Sequence, residues 1–353
     1  MKNKKQRQCT ALLLAGLMAA GALLAGCDGN SGMSAVPAAA ESSGSEITET
    51  GEPLDWTGTY FDTVISLRIY GSEAEKWMKG AVAICQQMED TLSAQKKDAE
   101  LYAVNHRTSQ SMEISDELAD CIAAGLKYSQ MSEGAFDITI LPVKDLWNFE
   151  SEDHKGIVPD QADIAEALKK VDYRKVHLDG NTISFDSPDT EIDLGGIAKG
   201  YISGKLCEYL ESEGCRAALI NLGGNVRTIG TKPDGTPYIV GIQQPFTDRG
   251  TVLTTVESAG TAVISSGTYE RYFRKDGKLY HHILDPRTGF PAETDLSQVT
   301  VIGRDDTACD ALATIGIVSG RQGLIDLIRS NSLDVKVLFT DTSDQVSTYP
   351  EEG

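Results

Sequence analysis

Apolar residues recur every three to four positions over residues 73–92, where Ala74, Trp77, Met78, Ala81, Ile84, Cys85 and Met88 share one face. That spacing predicts an amphipathic helix. Just upstream, Val64, Ile65, Leu67 and Ile69 give residues 60–70 the pattern of a strand. Ser115, followed by Glu117 and Leu118, opens a second helix that should stop by Gly134, and residues 160–171 form a third. The segment KVHLDGNTISFD reads as two short strands around an Asp179-Gly180 turn. A fourth helix runs from about Gly196 to Gly214. Downstream, strands are predicted at 217–222, 238–243, 250–256, 262–265, 296–302 and 335–340, with a hairpin through Asp276-Gly277 and helices at 308–318 and 320–330. Strands adjoin strands more often than helices separate them, which predicts an α+β fold of largely antiparallel sheets packed with helices.

The first 53 residues do not share this patterning. Lys2, Lys4, Lys5 and Arg7 precede an apolar run over residues 11–24, too short to span a bilayer comfortably, and Leu24-Ala25-Gly26-Cys27 closes it. This is a bacterial lipobox, so residues 1–26 are expected to be a lipoprotein signal peptide and Cys27 the lipidated first residue of the mature chain. Residues 27–53, rich in Ser, Gly, Ala and Glu, read as a disordered tether, leaving 54–353 as the folded domain. The expected location is the cell membrane, lipid-anchored, facing the periplasm or cell exterior. Cleavage leaves 28 Lys+Arg against 52 Asp+Glu. Such a surface repels nucleic acid and anionic headgroups, so no nucleic-acid partner is expected and the lipid must supply the anchor. The folded domain holds five scattered cysteines, Cys85, Cys121, Cys207, Cys215 and Cys309, none in a C-x-x-C pair; buried free thiols are expected rather than zinc or disulfides.

Four clusters carry polar groups that a core would not select. SEGAFDITILP places Ala135, Phe136 and Asp137 between a glycine turn and an apolar stretch expected to be a strand, and read alone it fits a loop with a capping aspartate. EIDLGGIAKGYISGKL runs from Asp193 through two glycines into a helix with Lys199 in its first turn. Open N–H groups and a cation there suit an anion, though a solvated lysine fits equally well. NLGGN, residues 221–225, turns at the end of a strand without dinucleotide-fingerprint spacing. In DALAT, Asp310 and Thr314 are four apart on a helix face, oxygen donors suited to Mg²⁺ or Ca²⁺, with an N-capping aspartate as the plain alternative.

Taken in order, GTYFDT, AFDIT, DLGGIAKGY, NLGGN, SSGTYERYF, HHILDPRTG and DALAT resemble the successive signatures of the ApbE family, the FAD:protein FMN transferases, from about Thr57 to the C-terminus. The resemblance implies Mg²⁺-dependent transfer of FMN from its substrate FAD to a threonine hydroxyl of a membrane flavoprotein, for example a subunit of an NADH:quinone- or ferredoxin-linked oxidoreductase, releasing AMP. It implies that Ala135, Phe136, Asp137, Asp193, Lys199 and the Leu284 backbone contact FAD. Mg²⁺ would be held by the Gly196 carbonyl, Asp310 and Thr314, and His282 would be the base. A reference pKa of about 6.5 suits an imidazole to that task near neutrality. The chain departs from the family at Thr57, where methionine is common, at Gln95, where an aromatic is common, and at Ala313, where some members carry a second aspartate. Thr57 and Gln95 are expected to line the flavin and adenine regions. An FAD pyrophosphatase would share every motif, and a lipid-anchored flavin-binding receptor is the non-enzymatic alternative.

Overall fold

The computed structural model describes residues 52–149, 151 and 156–351. The chain divides into units of residues 1–38 and 39–353, and the described residues belong to the second. The signal peptide, Cys27 and nearly all of the tether therefore lie outside the described residues.

An eight-stranded antiparallel sheet organises the unit. In spatial order its strands are β1 (Leu54–Tyr60), β2 (Thr63–Ile69), β6 (Ala218–Leu222), β7 (Asn225–Ile229), β10 (Ala262–Gly267), β13 (Leu296–Gly303), β14 (Lys336–Asp341) and β15 (Val346–Tyr349). Alternation along these strands sorts side chains to two faces. Ile220, Ile264 and Val301 enter the main core with the helices α1 (Ala74–Leu92), α3 (Asp116–Met131), α6 (Ala198–Ser212) and α7 (Asp306–Ser330). The neighbours Leu219, Val263 and Ile302 turn the other way and pack against the hairpin of β8 (Tyr238–Gln243) and β9 (Val252–Ser258). Further elements are the short helix α2 (Glu100–Asn105) and a three-stranded sheet in the order β3 (Ser111–Glu113), β5 (Thr182–Phe185), β4 (Val176–Asp179). All five cysteines of this unit are buried free thiols.

A smaller apolar cluster builds the wall opposite the helix starts. Val143 and Trp147 of α4 (Leu141–Trp147) join Ile164 and Ala167 of α5 (Gln161–Leu168), Phe273 of β11 (Tyr272–Lys275) and Leu284. Phe273 stacks on Tyr280 of β12 (Lys278–His281), while Trp147 stacks on Phe149 and donates its indole N–H to the Gly289 carbonyl at 2.7 Å. These contacts fix the segment after β12, where His282 and Leu284 lie.

The α+β reading holds, and several elements depart from the expected pattern. The stretch after Phe136 is a turn leading into α4, not a strand. Asp137 Oδ1 accepts from the Thr139 amide at 2.8 Å and hydroxyl at 2.6 Å, curling the chain, and Pro142 suits the first helical turn because no N–H is needed there. The two helices expected around Gly320 do meet there: within α7 the backbone breaks from helical geometry at Gly320, at φ 71° and ψ 176°. β7 escaped detection because Arg227 interrupts its apolar run; the guanidinium is buried and paired with Asp306 at 2.9 Å. β1 was missed because its half-exposed residues alternate weakly at the sheet edge.

α6 crosses α7 at Gly200, where a Cβ would lie 2.4 Å from the Asp306 carbonyl oxygen and 2.6 Å from Asp310 Cβ. Only glycine allows this approach, and it sets Asp310 against the start of α6.

Candidate active site

One cavity of about 580 Å³ collects residues from both clusters, a volume in the range of small-molecule sites. Its lining includes Gln95, Ala135, Phe136, Asp137, Asp193, Gly196, Lys199, His282, Leu284, Asp310 and Thr314. The tertiary structure thus brings together residues spread over more than two hundred positions.

Asp310 sits in the second turn of α7, 2 % exposed. The helix N-cap is Asp305, which accepts from the Ala308 amide at 2.9 Å, so Asp310 is not the capping residue. Its Oδ2 accepts from the Gly200 amide at 2.8 Å and its Oδ1 from Asn225 Nδ2 at 3.0 Å. Burial raises its pKa, opposed by the Lys199 charge and these two donors. A carboxylate so desolvated favours a nearby cation.

One turn along the helix, Thr314 Oγ1 lies 3.3 Å from Ser266 Oγ, and a Cβ on Gly196 would be 3.6 Å from it. Asp310, Thr314 and the Gly196 backbone offer only hard oxygen donors. No group of three His, Cys, Asp or Glu side chains able to hold a metal exists among the described residues. The donor set accordingly fits Mg²⁺, which needs few protein ligands and takes others from water or phosphate, and does not fit zinc.

The start of α6 is only partly open, unlike its expected form. The Gly195 amide bonds Asp193 Oδ1 at 3.0 Å, the amides of Ile197 and Ala198 bond the Leu194 carbonyl, and Gly200 bonds Asp310. Those N–H groups are used internally, whereas the Gly196 and Lys199 amides make no hydrogen bond with other described residues, so anion attraction here rests on these two amides and the Lys199 ammonium. Its ammonium forms no ion pair or hydrogen bond with other described residues. At NLGGN the Gly223 amide bonds the Val64 carbonyl and the Gly224 amide bonds Asn221 Oδ1, so that turn is likewise closed.

The adjacent histidines separate into two roles. His281 is 3 % exposed, pairs with Tyr272 across the hairpin, and bonds the Ala292 carbonyl through Nε2 at 3.1 Å. It is outside the cavity lining, and burial lowers its pKa to about 4. His282 lines the cavity, tied to the Arg271 carbonyl by its backbone amide at 3.0 Å. Its Nδ1 is buried without a partner among the described residues, leaving Nε2 to face a ligand. Burial first, then the charges of His281, Arg271, Lys199 and Lys144, lower its pKa to about 3. The expected value near 6.5 is therefore corrected: the ring stays neutral across the physiological range and is a weaker base than a solvated histidine.

Phe136 packs against the glycine turn, where a Cβ on Gly196 would be 2.8 Å from its ring. Asp137 spends both carboxylate oxygens on protein donors, Thr139 on one side and the Tyr173 amide at 3.1 Å on the other, so its side chain shapes the loop. Gln95 is exposed at the cavity rim, and Leu284 is buried in a β-bridge with Pro291.

Thr57 stands apart. It is exposed in the middle of β1, opposite Ser66, outside the cavity lining. The turn of the β1–β2 hairpin reaches the cavity instead, through Phe61, Asp62 and Thr63, with Phe61 and Asp62 both at φ 54°.

Sequence reasoning did not select Lys144, Ser266 or Arg271, all lining residues, nor the Asn225 contact to Asp310. Asn225, Ser266 and Arg271 lie inside the recognised motifs. Lys144 carried no signal, because it follows a segment read as a strand.

The ApbE family profile matches residues 61–339. An FAD:protein FMN transferase from Klebsiella pneumoniae (strain 342) is 33% identical over 291 residues, covering 81% of this chain and 89% of that protein. One from Treponema pallidum (strain Nichols) is 32% identical over 301 residues, covering 79% and 82%. Among solved structures, the ApbE protein of Thermotoga maritima superposes with a TM-score of 0.76 at 27% identity, covering 84% of this chain and 96% of that one. The flavin transferase ApbE of Vibrio cholerae gives 0.73 at 26%, with coverage of 84% and 96%.

Proposed function

The chain belongs to the ApbE family and is a flavin transferase, and from that premise we propose that it moves FMN from FAD onto a threonine hydroxyl of a membrane flavoprotein, releasing AMP. The observation that carries this reading is the convergence in one cavity of a cation with no ion pair or hydrogen bond among the described residues, Lys199, a buried carboxylate with oxygen-donor neighbours, Asp310, and an accessible neutral imidazole nitrogen, His282 Nε2.

In this reading the threonine oxygen attacks the FMN-side phosphorus of the pyrophosphate. A new O–P bond forms, the bridging P–O bond breaks with its electrons on AMP, and the threonine proton passes to His282 Nε2. Lys199 draws the pyrophosphate in and offsets the charge that builds on its oxygens. The same phosphate charge counters the cations that depress the His282 pKa, so the imidazole becomes a better proton acceptor when substrate is present. Asp310, Thr314 and the Gly196 carbonyl would hold Mg²⁺, which supplies further positive charge at the phosphates. Phe136 and the buried Leu284 restrict water near the attacked phosphorus.

Incubating the full chain with FAD, Mg²⁺ and a candidate acceptor should add one FMN mass to a threonine-containing peptide, with AMP formed in equal amount. Free FMN with no adduct would point to a pyrophosphatase, and bound FAD without any AMP to a receptor.

We propose further that Cys27 carries the lipid that holds the enzyme at the outer side of the membrane, a reading supported by the lipobox and the acidic mature sequence. Cys27→Ser should leave the protein in the soluble fraction with transfer to a soluble acceptor retained. A variant that still sediments with membranes would refute the anchor.

A further inference from the structure

Lys144 lies on α4, two residues beyond the stretch that the sequence pattern assigned to a strand. Its Nζ is 2.7 Å from Asp193 Oδ2, and the two side chains are 29% and 10% exposed. Asp193 Oδ1 accepts from the Gly195 amide at 3.0 Å, and the Asp193 amide donates to the Ile138 carbonyl at 2.7 Å. Asp193 therefore works as a staple: one carboxylate oxygen fixes the glycine turn, while the other is held by a cation from the opposite wall. Both members of the pair line the cavity.

We infer that Lys144 is a positioning residue for the anionic part of the substrate, holding and neutralising Asp193 so that the turn sets Gly196 and Lys199 toward the phosphates. This rests on the reading of FAD as substrate. Without Lys144, the Asp193 carboxylate would be mostly out of water, unpaired, and close to where a pyrophosphate must bind. Like charges at that separation repel strongly, because a poorly solvated site screens them little. Lys144 is also among the cations that act on His282, which places its charge within reach of the same ligand groups.

The test is binding of FAD, FMN and riboflavin to the full chain and to Lys144→Met, Lys144→Gln and Lys144→Arg, with thermal midpoints as a control. Lys144→Met and Lys144→Gln should weaken FAD roughly tenfold, a change of about 1.4 kcal/mol, and leave phosphate-free riboflavin within about twofold. Lys144→Arg should recover most of the loss. Steady-state rates should show the effect in KM for FAD, with kcat at saturation little changed. Adding Asp193→Asn to Lys144→Met should restore part of the affinity, since the unpaired charge is then gone. Unchanged FAD affinity in both neutral variants would overturn the inference, as would an equal loss for riboflavin and FAD. If the unmodified chain binds no FAD, the functional reading itself falls. If it binds FAD and the neutral variants bind it equally well, only the role of Lys144 falls.

Discussion

His282→Ala is expected to lower the rate of FMN transfer about 10²- to 10⁴-fold while FAD binding changes little, the usual cost of losing a positioned proton acceptor. Binding should survive because Lys199 and the glycine turn remain, and because the main tie of His282 to the fold is its backbone amide to the Arg271 carbonyl, which alanine keeps. His281→Ala should act differently. It removes a buried ring bonded to the Ala292 carbonyl, so its main signature is a lower thermal midpoint. The pH profile gives a sharper check. The folded pKa of His282 is pushed down to about 3, so kcat/KM should show no acid limb near 6.5 from this group. An acid limb centred at 6.5 that disappears in His282→Ala would contradict the buried environment seen here. The sign for stability follows from the same shifts. Both histidines have folded values below the unfolded value of about 6.5, so they oppose folding increasingly as pH falls below 6.5, down to about 4 for His281 and about 3 for His282. Equal loss of rate and FAD affinity in both alanine variants would make the pair structural.

Asp310→Asn should raise the Mg²⁺ concentration needed for half-maximal activity by at least about tenfold, with partial rescue at high metal, since an amide oxygen holds a hard cation less well than a carboxylate. The substitution also disturbs the fold. Asp310 accepts from both Gly200 and Asn225, whereas an asparagine has one acceptor oxygen, so a stability loss of about 1 kcal/mol is expected unless Asn225 turns its amide to compensate. The two effects separate by experiment, because destabilisation lowers the thermal midpoint without moving the Mg²⁺ titration. Thr314→Val should shift the metal requirement in the same direction by less, a hydroxyl being the poorer ligand. An unchanged Mg²⁺ titration in Asp310→Asn, alongside a lower midpoint, would assign Asp310 solely to joining α6, α7 and β7.

The periodicity at residues 73–92 placed α1 correctly, and Ser115 caps α3 as its sequence context indicated, accepting from Leu118. Asp276-Gly277 turns the β11–β12 hairpin, with both residues at positive φ. These features are local: helix spacing, a cap and a left-handed turn depend on residues within a few positions of one another. The antiparallel character of the sheets was legible for the same reason, from strands following strands.

The amino-acid pattern alone was enough for most of the local elements, the acidic composition and the motifs whose order resembles the ApbE family. Which of two neighbouring histidines faces the cavity depended on the folded arrangement, because a hairpin alternates its side chains and the register of β11 on β12 selects the side. The tertiary structure also decided that Asp310 is buried against α6, which depends on Gly200 allowing two helix backbones to approach. Thr57 was placed outside the cavity by the pairing of β1 with β2, and Lys144 inside it by a turn that Asp137 closes. The physical reason is common to all four. A side chain's chemistry is carried in its own residue, but its solvation, charge partners and accessible atoms come from segments distant in sequence, and these fix whether it acts or only supports the fold.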